Sequence, residues 1–159
     1  MEEMDKEFTE FFSSIWKFYG LSDLPSKIVG ILYLEPGEIT MEDLAKKTGY
    51  SLSSISNTMK LLENIGVVQR IKKPKTKKIF FYMEKDLAKL NKQKLRAAQD
   101  NVIKPIKEFM PQLIKKYRHK VKDAESRKKL RIMENYHKQM LDWEGILQHM
   151  MEELDKLST

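Results

Sequence analysis

The chain has 159 residues and no cysteine, which excludes disulfide frameworks, zinc sites with cysteine ligands and a cysteine nucleophile. Hydrophobic residues make up 41% of the sequence, enough to bury a core, and no stretch approaches the roughly 18 apolar residues of a membrane-spanning helix. The formal net charge is +7, and positions 70–120 hold the whole excess, with seventeen Lys or Arg and four acids. Concentrated positive charge is typical of proteins that bind a polyanion, either nucleic acid or an anionic surface.

The first predicted element is an amphipathic helix over 3–19. Its apolar residues recur at steps of four and three, which places them on one face: Met4, Phe8, Phe11, Ile15 and Phe18. Three further rings, Phe12, Trp16 and Tyr19, widen that face beyond what a small core needs. We therefore predict that residues 1–20 form an N-terminal dimerisation helix, with Phe8, Phe11 and Ile15 in the interface. An open alternative is that Phe12, Trp16, Tyr19 and Trp143 line a pocket for a quaternary ammonium effector.

The next segment has the pattern of a helix-turn-helix. A short apolar helix is predicted over 26–34, and Thr40 is a suitable N-cap for a second helix over 41–47. After a glycine turn, Ser51 caps a third helix over 52–65. The spacing predicts that this third helix buries one apolar stripe, formed by Leu52, Ile55, Met59 and Leu62.

A basic β-hairpin is predicted after the third helix. Strands over 67–71 and 79–83 flank a turn with five lysines and no acid: Lys72, Lys73, Lys75, Lys77 and Lys78. Such lysines neutralise phosphates, which contributes affinity rather than sequence choice. The predicted fold is mainly α with a small β-hairpin wing. A winged helix-turn-helix DNA-binding domain over 21–86 is flanked by N- and C-terminal dimerisation helices.

The third predicted helix has a polar face that suits a DNA major groove. The groove admits one α-helix, and short hydrogen-bonding side chains read base edges there. The predicted recognition residues are Ser51, Ser53, Ser54, Ser56, Asn57 and Lys60. The predicted wing contacts are Arg70, Lys72, Lys73, Lys75, Lys77 and Lys78. A simpler interpretation of the serines is that they only cap the helix.

The last part of the chain is predicted to be helical, with Pro105 and Pro111 kinking or dividing the run. Its final helix repeats apolar residues at steps of three and four, as in a coiled-coil seam. This pattern predicts a C-terminal helical dimerisation region over 87–159. The predicted interface residues are Met133, Tyr136, Met140, Trp143, Leu147, Met150 and Leu154.

Four stretches of the sequence resemble a known family. They are Gly-Leu and Leu-Pro-Ser within 20–26, Ile-Thr-Met-Glu-Asp-Leu-Ala at 39–45, Ser-Leu-Ser-Ser-Ile-Ser at 51–56, and Leu-Leu-Glu-Asn-Ile-Gly-Val-Val at 61–68. Residues 21–87 resemble the MarR superfamily, and more closely its GbsR-like branch. The resemblance implies a homodimeric transcription factor, often a repressor, that dimerises through its terminal helices. MarR-type wings usually carry an acidic residue at the tip, whereas residues 74–78 carry none.

Catalytic signatures are missing from the sequence. The three histidines lie in charged helical segments, and no HExxH, GxSxG, P-loop or dinucleotide fingerprint is present. We therefore predict a non-enzymatic protein with no cofactor and no metal site. The acidic first ten residues lack the positive segment of a signal peptide, so a cytoplasmic location is expected.

Two functions from different classes fit these patterns. The first is a sequence-specific repressor that binds a palindromic operator in double-stranded DNA as a homodimer. GbsR-like proteins are associated with choline or betaine responses, so the resemblance leaves control by a small-molecule effector open. The second is a nucleoid or scaffold protein that binds DNA without operator choice. The polar face of the third helix favours the first function, whereas the acid-free wing keeps the second open. No membrane partner is predicted, since Pro105 and Pro111 interrupt the basic helical surface.

Overall fold

The computed structural model describes residues 2–157. They divide into two compact units, of which the first ends at Leu90 and the second begins at Asn91. The first unit contains four helices and a three-stranded antiparallel sheet, and the second is helical throughout. Within residues 2–157, no helix is both long enough and apolar enough to span a membrane.

Two helices, α1 (Glu3–Phe18) and α2 (Asp23–Leu34), pack closely at the start of the first unit. The contact is close because α2 carries Gly30 opposite Thr9: a Cβ on this glycine would lie 3.0 Å from the Thr9 carbonyl oxygen. The predicted first helix is confirmed. The second begins three residues earlier than predicted, because Pro25 is accommodated in its first turn, where a missing N–H costs no hydrogen bond.

Aromatic rings fill the space between these two helices. Phe12 of α1 stacks on Tyr33 of α2 with ring centroids 4.7 Å apart, and Trp16 meets Phe12 edge-on at 6.4 Å. Phe8 stacks on Phe12 at 5.2 Å and is half-buried. The neighbouring side of α1 exposes a second apolar row, formed by Met4, Phe11, Ile15 and Phe18.

The helix-turn-helix consists of α3 (Met41–Thr48) and α4 (Leu52–Asn64), and both caps form as predicted. The Thr40 hydroxyl accepts a hydrogen bond from the Asp43 N–H at 3.2 Å, and the Ser51 hydroxyl accepts one from the Ser54 N–H at the same distance. Gly49 ends α3 with a left-handed φ of 75°, which glycine adopts without steric cost.

The core stripe of α4 differs from the prediction at one residue. Ile55, Met59 and Leu62 are fully buried, as expected, but Leu52 is 51% exposed. The prediction for Leu52 was wrong because helical periodicity gives the direction of a side chain but not whether the core extends to that turn of the helix. Leu52 lies in the first turn of α4, ahead of Ile55, the first residue of this helix that is buried in the core.

The sheet holds one strand more than the predicted hairpin. Strands β2 (Gln69–Lys72) and β3 (Ile79–Tyr82) form the hairpin, and β1 (Ile39–Thr40) pairs with the free edge of β3 in the order β1-β3-β2. Strand β1 was not predicted because a segment of two residues is too short to show an alternating pattern. Phe81 at the centre of β3 is fully buried and anchors the wing to the helices.

The second unit is an antiparallel helical hairpin. Helix α5 (Leu87–Ala98) leads through a π-helical turn (Gln99–Ile103) into α6 (Lys104–Arg118), and α7 (Ala124–Leu157) runs back along them. Ion pairs mark the opposed directions: Lys92 with Asp155, Lys107 with Glu144 at 2.8 Å, and Arg118 with Glu134 at 2.7 Å. The predicted interruption occurs ahead of Pro105, in the π-helical turn, whereas Pro111 lies inside a continuous α6.

Helix α7 carries two apolar rows where a single seam was predicted. The inner row packs within the second unit: Leu130, Leu147 and Met151 are buried, and Met133, Met140 and Leu154 are half-buried. The outer row is exposed and consists of Ile132, Tyr136, Trp143, Ile146, Met150 and Leu157. Two rows arise because the apolar face of a packed helix is commonly wider than 100°, so one row can be buried while its neighbour stays at the surface.

Candidate nucleic-acid interface

The polar face of α4 presents one exposed row of side chains. Ser53, Asn57 and Lys60 follow one another at steps of four and three, on the side of the helix opposite Ile55. Ser54 and Ser56 flank this row and are half-buried. Of the six predicted recognition residues, three therefore project fully from the face that would enter a groove.

The serines at the start of α4 have a structural role as well. The Ser51 hydroxyl caps the helix, and its oxygen lies 3.0 Å from that of Ser54. These two hydroxyls are therefore engaged with each other and with the backbone. The capping interpretation describes Ser51 and Ser54, whereas Ser53 has no such partner among the described residues.

Arg70 of β2 is held by Glu63 at the end of α4. Its Nε and Nη2 donate to the two carboxylate oxygens of Glu63, each at 2.9 Å, and its guanidinium lies 5.5 Å from the centre of the Phe81 ring. The hydrogen bonds to Glu63 raise the pKa of Arg70 against the opposing effect of burial. A forked pair of this kind fixes geometry as well as charge, so it fastens the wing to the recognition helix.

Lys73 is also engaged. Its ammonium pairs with the carboxylate of Glu38, and it lies 4.3 Å from the centre of the Phe80 ring. Glu38 and Glu63 were not predicted as partners, because both acids lie outside the hairpin and pair with it only in the folded chain.

The remaining wing cations, Lys72, Lys75, Lys77 and Lys78, are exposed, and none forms a salt bridge with a carboxylate of residues 2–157. Lys78 lies near enough to Asp43 for its charge to lower the pKa of that carboxyl. Of the six predicted wing contacts, Arg70 and Lys73 are therefore paired with carboxylates and the other four form no ion pair within residues 2–157.

A tight turn shapes the wing tip. Lys75 has a φ of 67°, the left-handed value that a type II turn requires after a proline such as Pro74. The Lys78 N–H donates to the Thr76 hydroxyl at 3.1 Å, which orders the return toward β3. The turn at Pro74 and Lys75 thus reverses the chain, and the lysines of the tip are exposed.

One lysine of the basic region is structural. The Lys85 ammonium donates to the carbonyl oxygens of Leu32 at 2.7 Å and Met83 at 2.6 Å, and the Tyr33 hydroxyl donates to the Lys85 carbonyl oxygen at 3.3 Å. Burial lowers the pKa of Lys85. This lysine joins the end of the wing to α2 and is not available to phosphate.

The basic stretch after the wing is partly neutralised too. Lys92, Lys107 and Arg118 pair with acids of α7, as described for the helical hairpin. Across residues 2–157, no cluster of three histidine or acidic side chains is arranged to hold a metal ion. On α4 and the wing, exposed lysines lie beside exposed short polar side chains.

Comparisons with known proteins agree with this architecture. A family model described as winged helix-turn-helix DNA-binding matches residues 21–69. A solved structure titled "Crystal Structure of a transcriptional regulator" is similar to this chain with a TM-score of 0.70 at 15% identity, over 96% of this chain and 98% of that one. No curated protein matches the sequence significantly. The fold is thus mainly helical, with a winged helix-turn-helix domain flanked by helices on both sides.

Proposed function

We propose that this protein is a sequence-specific DNA-binding transcriptional regulator. The observation that carries the proposal is the exposed row Ser53, Asn57 and Lys60 on α4, beside a wing with four unpaired lysines. Asn can pair with adenine through two hydrogen bonds and Lys can donate to guanine, so the row has the chemistry of base readout. The wing lysines would add affinity through phosphates.

The alternative, a nucleoid or scaffold protein without operator choice, has less support. A purely electrostatic binder gains affinity from cations and has no need of exposed short polar side chains such as Ser53 and Asn57 beside Lys60. The acid-free wing tip is the feature that fits such a binder. The two functions differ in whether one site is retained against excess random duplex.

The proposed regulator acts as a homodimer on a palindromic operator. The exposed apolar rows of α1 and α7 support this, because large uncovered apolar surface marks a site of association. The proposed organisation is an N-terminal dimerisation helix over 1–20, a DNA-binding domain over 21–86 and a dimerisation region over 87–159. Repression as the mode of action rests on the resemblance to the MarR superfamily and its GbsR-like branch.

The proposed control by a small molecule is supported only by the resemblance to the GbsR-like branch. Phe12 is packed between Tyr33 and Trp16, which favours a packing role for Phe12 and Trp16 over a quaternary ammonium pocket. Addition of choline or betaine to the protein–operator complex tests this control directly, with release of DNA expected if either is the effector.

The central experiment is selection of binding sites from random duplexes. A two-fold dimer should recover an inverted repeat with half-sites about one helical turn apart. Asn57→Ala should then relax the preference at one position in each half-site, a discrimination of about 1–3 kcal/mol. Asn135→Ala, an exposed asparagine of α7, is the matched control and should leave the consensus unchanged. Recovery of no consensus, with Asn57→Ala binding as the wild type does, would establish the nonspecific binder instead.

A further inference from the structure

The first turn of α4 exposes a large apolar side chain. Leu52 is 51% exposed, whereas the next apolar residue of the helix, Ile55, is fully buried. Tyr50, on the other side of the cap residue Ser51, is 45% exposed. A single exposed leucine is ordinary on a protein surface, so its significance depends on its position.

That position is the base-reading end of the recognition helix. Helices of this motif contact base edges with residues near their N-terminus, and Leu52 is the first residue of α4. The helical period places Leu52, Ser56 and Glu63 along one edge, and Glu63 binds Arg70 of the wing. Leu52 thus lies on the wing-facing edge, next to the exposed polar row.

The surroundings of Leu52 do not resemble a protein-docking patch. The residues next to it in the first turn are Ser51, Ser53 and Ser54, and association surfaces are contiguous apolar patches. Leu52 and the Tyr50 ring before it form a small apolar spot among hydroxyls, which suits a ligand that offers one small apolar group among hydrogen-bonding groups. The DNA major groove offers such a group in the 5-methyl of thymine.

We propose that Leu52 is a specificity-determining residue that contacts the 5-methyl group of a thymine in each half-site. The inference rests on the proposed function and extends it. Asn57 and Lys60 read donors and acceptors, and Leu52 adds a contact that distinguishes thymine from cytosine, which has no methyl group at this position. The preferred half-site therefore contains a thymine near the bases that face the start of α4.

The test compares thymine with deoxyuridine, which lacks only the methyl group. Each thymine of the selected operator is replaced in turn, and affinities are measured for the full-length protein. The wild type should lose about fourfold per half-site at one position, as expected for burial of one methyl group. Leu52→Ala should bind the thymine and deoxyuridine operators equally well, while Asn57→Ala should keep the difference.

The matched control is Leu61→Ala, which removes another exposed leucine of α4 and should keep the thymine preference. Thermal unfolding of each variant checks that the fold is intact, as expected for an exposed side chain. A wild type that is indifferent to every deoxyuridine, or a Leu52→Ala variant that discriminates as the wild type does, overturns the contact alone. Failure to select any consensus overturns sequence-specific recognition itself, and the thymine contact with it.

Discussion

Thr40 joins the wing to the helix-turn-helix through a reciprocal pair of hydrogen bonds. Its backbone belongs to β1, where it pairs with Phe80. Its hydroxyl accepts from the Asp43 N–H at 3.2 Å and donates to the Asp43 carboxylate at 2.7 Å. One residue thus ends the strand and caps α3, which makes the orientation of α3 toward the sheet depend on this side chain.

The same contact makes stability depend on pH. The hydrogen bond from Thr40, and then the positive charges of Lys46 and Lys78, lower the pKa of Asp43. Because the folded-state pKa lies below the unfolded value of about 3.9, the carboxylate contributes stability at higher pH. That contribution is lost as the pH falls through the lowered pKa of the folded state.

We therefore expect Asp43→Asn to be less stable than the wild type near neutral pH and to approach it below pH about 3.9. Urea unfolding over a pH series measures the difference. Thr40→Ala should cost about 1 kcal/mol at neutral pH, as for loss of an N-cap. In a protein that already carries Thr40→Ala, the stability difference caused by Asp43→Asn should depend less on pH. A difference that stays constant down to pH about 2.5 would contradict this account, since that pH lies well below the ordinary aspartate value.

At the scale of elements, the α1–α2 contact depends on the absence of one side chain. An alanine at Gly30 would place its Cβ 3.0 Å from both the Cγ2 and the carbonyl oxygen of Thr9. The nearest atoms include backbone, so the helix itself would have to shift. Alanine normally stabilises a helix interior relative to glycine by about 0.5–1 kcal/mol, and here the clash opposes that gain.

We expect Gly30→Ala to destabilise the protein and Gly145→Ala to stabilise it by about 0.5–1 kcal/mol. Gly145 is the matched control because it also lies inside a helix and a Cβ there meets no atom within 4 Å. Thermal or urea unfolding of the two variants measures the change in the free energy of unfolding, which should be a loss for Gly30→Ala and a gain for Gly145→Ala. Equal stabilisation by both alanines would show that the α1–α2 contact accommodates a methyl group.

We expect the wing lysines, but not Arg70, to contact phosphate. Each phosphate contact that is lost should reduce the slope of log affinity against log salt by about 0.9. Ala at Lys75 or Lys77 should therefore flatten the slope and weaken all sequences alike. Arg70→Ala should leave the slope nearly unchanged, because Glu63 already neutralises this cation, while it weakens binding by loosening the wing.

A fluorescence titration over a salt series separates these effects, and Lys138→Ala on α7, exposed and remote in sequence, is the control. A slope that falls by the same amount for Arg70→Ala as for Lys77→Ala would show that Arg70 also contacts phosphate. Unchanged slopes for both lysines would remove the wing from the interface.

Local signals identified most of these elements in the sequence. Thr40 and Ser51 mark helix starts through their own side chains, and the period of Ile55, Met59 and Leu62 identifies the buried side of α4. Long-range pairing left no such signal. The ion pairs of Arg70 and Lys73 and the short strand β1 depend on residues brought together only by folding. The exposure of Leu52 depends likewise on where the core ends.

At the scale of the whole molecule, the exposed apolar surface of α7 is the feature that indicates association. The outer row of α7 includes Trp143 at 45% and Ile146 at 51% exposed. The steps between its members, Ile132, Tyr136, Trp143, Ile146, Met150 and Leu157, are four, seven, three, four and seven. Alternating steps of three and four make up a heptad repeat. Each step of seven passes over one further position of that repeat, and a polar residue occupies it. The row can therefore pack against a second copy of itself.

We expect the protein to be a dimer at micromolar concentration and the double variant Trp143→Glu, Ile146→Glu to be a folded monomer. The two glutamates would place four like charges in the two-fold interface, where their desolvation is unfavourable. The monomer should also bind the palindrome far more weakly than the wild type, because the two half-sites are then bound independently. Sedimentation equilibrium measures the mass, and the operator titration measures the linked loss.

Two further variants of α7 separate association from folding. Leu141→Glu also places a charge at an exposed leucine, but outside the outer row, and it should remain dimeric. Leu147→Glu should instead unfold the second unit, because that side chain is 2% exposed and belongs to the inner row. A wild type that sediments as a monomer at micromolar concentration would contradict the proposed dimer. A Trp143→Glu, Ile146→Glu variant that remains dimeric would place the dimer contact elsewhere. The exposed row of α1 would then be the next surface to change, with Phe11→Glu and Phe18→Glu as the corresponding variants.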